Sequence, residues 1–269
     1  MAFSENTLYK YSTINHHLIN NLKNGTLHFK CHVKYNDPFD CRLKIRVDGT
    51  QEEWESYRRI NDLNEEQLAR IKKKNTITEE NSGLHYKQLH KKALKNARIS
   101  CFSTVFNNIL MWSHYADSHK GICLIFESSP VPNEPNVKSL RFHKEDINNL
   151  TNPLDDNVLP ILKVNYKAEL PGTYNFLELN SADIEPFLIT KAPDWQYESE
   201  WRILAPDDYL LRGDNPRYET EQLKGLIFGM NCSKANIGKI KQIFRGQLEM
   251  TFYQTFAIKD VYSLGIKQI

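Results

Sequence analysis

Gly121-Ile122-Cys123-Leu124-Ile125-Phe126 is the stretch that most restricts what this 269-residue chain can fold into. Its apolar residues run without polar alternation, in a length that suits a strand, so it reads as a strand buried on both faces. Such a strand needs neighbours on either side and cover above and below, which makes it the centre of a sheet.

The rest of the chain supplies neighbours and cover. Thr7-Leu8-Tyr9-Lys10-Tyr11-Ser12 alternates as a short strand, and Leu18, Ile19 and Leu22 have helical spacing within 15–24. Gly25 then fits a helix C-cap, with a second strand expected over 26–29. Asn36-Asp37-Pro38-Phe39-Asp40 reads as a turn, with Asp37 and Asp40 as ligands in a minority reading. Ile99-Ser100-Cys101-Phe102-Ser103 reads as a strand, an Asn-rich turn follows, and 109–117 reads as a short helix. Residues 128–157, rich in proline and asparagine, read as a long loop. A strand over 158–166, a helix over 181–190 with Ser181 as N-cap, a strand at 226–229, a helix over 235–244 and strands over 250–257 and 261–266 complete the chain. Strands and helices are interspersed without regular βαβ spacing, which predicts α+β rather than a doubly wound sheet.

Residues 51–98 differ from their surroundings: rich in Glu, Lys and Arg, poor in β-branched residues and free of proline. Trp54, Tyr57, Ile60, Leu63, Leu68 and Ile71 form a helical stripe, and a second helix is expected over 84–97. The segment reads as a helical insertion within a single domain spanning 1–269. Its basic groups, Lys72-Lys73-Lys74 and Lys91-Lys92 with Lys95 and Arg98, read as a solvated helix face, with a polyanionic partner as the alternative.

Composition bounds the function classes. A formal net charge of +2, with 40% hydrophobic and 25% charged residues, gives no global field for nucleic acid or membrane. Cys31, Cys41, Cys101, Cys123 and Cys232 are odd in number and contain no CxxC pair, so they read as reduced thiols of a cytoplasmic protein. No apolar run approaches the roughly 20 residues of a membrane span, and no leader pattern opens the chain. Dinucleotide GxGxxG, P-loop, GxSxG, HExxH and zinc signatures are absent from the sequence.

The candidate chemistry lies in Trp195-Gln196-Tyr197-Glu198-Ser199-Glu200-Trp201-Arg202. If extended, this segment puts Glu198, Glu200 and Arg202 on one face and Trp195, Tyr197 and Trp201 on the other. Clustered carboxylates are costly unless a cation, metal or substrate uses them. A solvated edge strand, or a helix pairing Glu198 with Arg202 at i,i+4, accounts for the same residues structurally. His114, beside Trp112 and Tyr115, fits either an acid/base or a core histidine, and His119 reads as structural. Tyr9, Tyr11 and Phe102 fit core packing first.

The words LYKY, NDPFD, SCFS, MWSHYADSHKGICL and WxYExEWR, in this order, resemble a widespread bacterial family of unknown function. More distantly, the order of elements is similar to the ADP-ribosyltransferase fold: split mixed and antiparallel sheets, here with the helical insertion. That resemblance implies an NAD-dependent ADP-ribosyltransferase or NAD hydrolase acting on a macromolecule, protein or nucleic acid. A bacterial toxin or phage-defence role, with an antitoxin or regulatory protein as partner and no membrane, is implied with it. Glu200 would stabilise the charge that grows on the ribose, Glu198 would orient or deprotonate the acceptor, and His114 would assist as acid or base. Tyr9, Lys10, Tyr11, Ser12, Ser100, Phe102, Ser103, Tyr115 and Arg202 would hold NAD, with Tyr11, Phe102 and Tyr115 around the nicotinamide. Lys10 stands where that fold has His or Arg. Two other classes remain open: a metal-dependent phosphodiesterase or nuclease using Asp37, Asp40, Glu198, Glu200 and His114, and a non-catalytic nucleotide-binding sensor or adaptor.

Overall fold

The computed structural model of the chain describes residues 3–31, 35–46, 48–75, 94, 97–131, 134–148, 157–175, 177, 184–206, 209–247 and 250–269. These form an α+β structure with a large mixed sheet. They fall into two compact units, one of Met1–Lys30, Arg98–Val164 and Asp194–Ile269, the other of Cys31–Ala97 and Asn165–Pro193.

The first unit is built on the sheet. From one edge its strands run Leu264–Gln268, Thr251–Ala257, Leu223–Phe228, Ile122–Glu127, Thr7–Ser12, Ala97–Ser103, Glu200–Pro206, Val158–Lys163, Glu134–Arg141 and Ser129–Val131. Ile122–Glu127 lies antiparallel between Thr7–Ser12 and Leu223–Phe228, while Leu223–Phe228 and Thr251–Ala257 are parallel. The apolar run therefore occupies the interior position its composition requires. Ile122, Leu124 and Phe126 enter one core cluster with Leu8, Phe102 and Ile203; Cys123 and Ile125 enter a second with Tyr9, Trp112 and Ile227. Each large apolar side chain buried in this way stabilises the fold by roughly 1.5–3 kcal/mol.

The first helix, His16–Asn24, ends at Gly25 as expected and opens on an Asn15 cap. The Asn15 side chain accepts from the Leu18 N–H at 2.9 Å, and Gly25 takes φ +62° in the left-handed region. The strand expected over 26–29 is only an isolated bridge, Thr26 to Arg217, flanked by bonds from the Leu27 and Phe29 N–H groups to the Pro216 and Asp214 carbonyls. The long loop expected over 128–157 contains the antiparallel pair Ser129–Val131 and Glu134–Arg141 instead. Pro130 sits on the outermost strand, where a missing N–H costs no ladder bond, so proline did not exclude a strand there. Residues 149–156 of that loop lie outside the described residues.

The second unit contains the helices Gln51–Ile60 and Glu65–Asn75. A Thr50–Glu53 capping box opens the first, and Trp54, Tyr57 and Leu68 of the expected stripe are buried, while Ile60 is exposed. This helical segment shares its unit with 165–193; Ile45–Arg46 pairs in parallel with Tyr174–Asn175, and within 165–193 Asn165–Tyr166 pairs in parallel with Thr190–Lys191. The turn at 36–40 forms as expected, with the Asp37 carboxylate accepting from the Phe39 N–H at 2.8 Å. Asp40 is buried 3.7 Å from the Lys191 ammonium. Most of the helix expected over 84–97, with Lys91, Lys92 and Lys95, and the Ser181 cap lie outside the described residues. Among the described residues no helix is long and apolar enough to cross a membrane.

Candidate functional site

The segment 195–202 is not one strand. Pro193–Glu198 winds as a 3-10 helix, Ser199 takes φ +46°, and the strand begins only at Glu200. Pro193 favours a helical first turn because its φ is fixed and its missing donor is not needed there. Glu198 consequently leaves the face shared by Glu200 and Arg202, which corrects the expectation of three charged residues on one strand face.

A left-handed residue that is not glycine costs about 1–3 kcal/mol and persists only where its surroundings hold it. Here the connection after the Ala97–Ser103 strand does so. The Ser103 hydroxyl donates to the Glu198 carbonyl at 2.6 Å, the Thr104 N–H to the Ser199 carbonyl at 3.2 Å, and the Asn108 amide to the Tyr197 carbonyl at 3.1 Å. Asn108 also caps the helix Ile109–Tyr115, its Oδ1 accepting from the Leu110 and Met111 N–H groups. Asn108→Asp keeps the cap and loses the donor to Tyr197, so it should cost about 1 kcal/mol of stability, whereas Asn108→Ala loses both and should cost about 2 kcal/mol. Urea unfolding of the two variants separates the contributions; equal losses would mean the link to Tyr197 contributes nothing.

Both glutamates are buried. Glu198 accepts a short hydrogen bond, 2.5 Å, from the Tyr115 phenol. Glu200 is chelated by the fully buried Arg202: Nε donates to Oε1 at 2.9 Å and Nη2 to Oε2 at 3.1 Å. This is the strong bidentate geometry of an arginine–carboxylate pair. Burial, and after it the Glu200 charge, pushes the Cys101 thiol up to about 12. The raised value means the folded state keeps the proton. Its contribution to stability is present below the unfolded thiol range of about 8.5 and is lost as pH rises towards 12. Cys101 in the folded protein should therefore resist alkylation at pH 8 and react on unfolding, which mass spectrometry after a timed iodoacetamide pulse measures. Rapid native labelling of Cys101 would contradict this environment.

The pleat separates the residues expected to hold NAD. Leu8 and Phe102 lie in the first core cluster, so Lys10, Ser12 and Ser100 share their face by period-two alternation. Lys10 donates to the Ser100 hydroxyl at 2.9 Å and the Cys101 carbonyl at 3.0 Å, and its ammonium lies 5.0 Å from the Phe102 ring centre. Burial lowers its pKa, against the opposing pull of Cys101 and Glu200. Tyr9 pairs in register with Ser103 and, like Tyr11, faces the other way, under the helix Ile109–Tyr115. Glu200 and Arg202 alternate with Trp201 and Ile203, which pack into the first cluster, and so also face that helix side. The expected sandwich of Tyr11 and Phe102 around one ring is thus corrected, because the two side chains leave the sheet in opposite directions. Tyr11 is engaged elsewhere, donating to the Val105 carbonyl at 2.8 Å and meeting Trp112 edge to face, and burial raises its pKa and that of Tyr9.

The word MWSHYADSHKGICL resolves into a helix, a reversal and a strand. Asp117, Ser118 and His119 all have positive φ, 47°, 51° and 66°. His119 stacks on Trp112 with ring centres 6.2 Å apart, and desolvation lowers its pKa, a packing role as expected. His114, by contrast, is exposed, with its ring centre 6.4 Å from that of Tyr197, so it is not a core histidine.

A groove of about 540 Å³ opens beside the kink. Tyr197 and Ser199, the neighbours of Glu198 in the chain, line it together with Asn107, Asn108 and Tyr262. Asn108, Tyr197 and Tyr262 were not singled out by the sequence as site residues. An asparagine before a helical run is a recognisable cap signal, but nothing in the sequence of 261–266 distinguishes the fully exposed Tyr262 from a strand residue. Among the described residues no group of three or more His, Cys, Asp or Glu side chains is disposed to hold a metal ion. Asp37 and Asp40 belong to the second unit, and Glu198, Glu200 and His114 to the first.

No curated protein and no solved structure matches the chain. Residues 111–203, which include Tyr115, Glu198, Glu200 and Arg202, match the family described as protein of unknown function (DUF2971).

Proposed function

We propose that the first unit acts at the ribosyl C–N bond of a nucleotide and passes the sugar to a macromolecule or to water. This is the reaction class of an ADP-ribosyltransferase or NAD hydrolase. The observation that carries the reading is the Glu198 carboxylate, fixed by the Tyr115 phenol and flanked by the groove residues Tyr197 and Ser199. Breaking a ribosyl C–N bond passes through an oxocarbenium-like state, so a fixed carboxylate stabilises positive charge that grows only at the transition state. Glu198 takes this role in preference to Glu200, whose two oxygens are both held by Arg202. The Glu200–Arg202 pair then acts as a positioning element at the foot of the kink.

NAD is the donor that the resemblance implies, with a protein or nucleic acid as acceptor and a toxin or phage-defence role. The two cations among the residues implied for NAD are not disposed to hold its pyrophosphate: Lys10 is on the opposite face from Glu200, and Arg202 is fully buried against Glu200. The reading therefore concerns the ribosyl end alone. Incubation with NAD labelled in both the nicotinamide and the adenylate, with cell lysate as acceptor, should release nicotinamide and leave the adenylate on a macromolecule or as free ADP-ribose. Neither product, with NAD or with other nucleotides, would remove the reading. A nucleotide-binding module without turnover is the second reading, favoured by the closure of Arg202 on Glu200. Nucleotide binding without any product would select it.

A further inference from the structure

We infer that the groove beside Ser199 binds an unpaired nucleobase of a single-stranded nucleic acid. Its volume, about 540 Å³, is that of a small-molecule site. The described side chains lining it include no Asp, Glu, Lys, Arg or His. A phosphate or carboxylate entering it would lose hydration without meeting a counter-charge, whereas a neutral planar heterocycle would not. Tyr197 and Tyr262 offer ring faces, Ile109 and Leu110 offer apolar contact, and Asn107 offers an exposed amide. An amide that both donates and accepts is the side-chain chemistry that reads the edge of adenine. Tyr262 is fully exposed although it is a large aromatic residue, so it has a face to give to a ligand.

A second observation favours a strand over a free nucleotide. Tyr197 continues the groove into a row of rings, with Trp195 at 6.0 Å and His114 at 6.4 Å between ring centres. Successive bases of a single strand stack on such rows, and the sequence tolerance of stacking lets any base use them. The inference rests on the reading above for the fate of the bound nucleotide, but its binding is tested without turnover.

The test is fluorescence anisotropy with a short labelled oligodeoxyadenylate in the absence of NAD. Wild type should bind it, AMP should compete far more weakly than the unlabelled oligomer, and the affinity should change little with salt because the groove presents no cation. Tyr262→Ala should weaken binding about tenfold, and Tyr262→Trp should preserve it. Asn107→Ala should reduce the preference for adenine over thymine oligomers. No binding, equal binding by wild type and Tyr262→Ala, AMP competing as well as the oligomer, or a steep loss with salt would each overturn the inference. A protein that binds the oligomer in this way but never releases nicotinamide would leave the groove assignment standing and remove the transfer reading; turnover without Tyr262-dependent binding would do the reverse.

Discussion

Arg202→Met should destabilise the protein by about 3–5 kcal/mol, the largest stability effect expected of a single polar substitution in the first unit. The guanidinium is fully buried and chelates, through Nε and Nη2, a carboxylate that is itself buried. Removing it takes away the bidentate partner of a buried carboxylate beside the Cys101 thiol. Glu200→Gln should be costly for the converse reason, since it leaves a buried guanidinium facing an amide. The double variant Glu200→Leu with Arg202→Met removes both charges and should recover most of the loss, because well-packed apolar replacement of a buried pair is often neutral or stabilising. Thermal unfolding of the three proteins decides it. A loss below about 1 kcal/mol in Arg202→Met would mean that the pair is solvated, as exposed pairs are.

The central strand was legible because a continuous apolar run has one economical place in an α+β chain. Its alternate residues do divide between two core clusters. The first helix was legible from the spacing of Leu18, Ile19 and Leu22 and from Gly25, whose left-handed conformation ends it. The Glu200–Arg202 pair was legible from period two. What could not be read was the point at which that period begins. Ser199 adopts a left-handed conformation that its own side chain does not favour, stabilised by Ser103, Thr104 and Asn108 from a distant part of the chain. Long-range hydrogen bonds of this kind leave no local pattern. The same limit explains the expected cofactor set. Tyr11 and Phe102 are both aromatic and lie on adjacent strands, yet the pairing of Tyr9 with Ser103 sends them to opposite faces. Register is a tertiary fact, and one residue of slip would have reversed the result.

Glu198→Gln carries the largest expected effect on activity. The glutamine oxygen can still accept from the Tyr115 phenol, so the kink and its hydrogen bonds from Ser103 and Asn108 should remain and the melting temperature should be close to that of wild type. The negative charge is lost, and with it the stabilisation of a cationic transition state. Removing one preorganised electrostatic group of this kind lowers turnover about 10²–10³-fold. Tyr115→Phe, which removes the phenol hydrogen bond and keeps the carboxylate, should have the smaller effect, expressed in kcat more than in KM.

The direct measurement is therefore nicotinamide release by wild type and Glu198→Gln, at equal concentration and with matching thermal unfolding curves. The account predicts release by the wild type and a loss of at least about 100-fold in the variant. Equal release by the two folded proteins would contradict the assignment of Glu198.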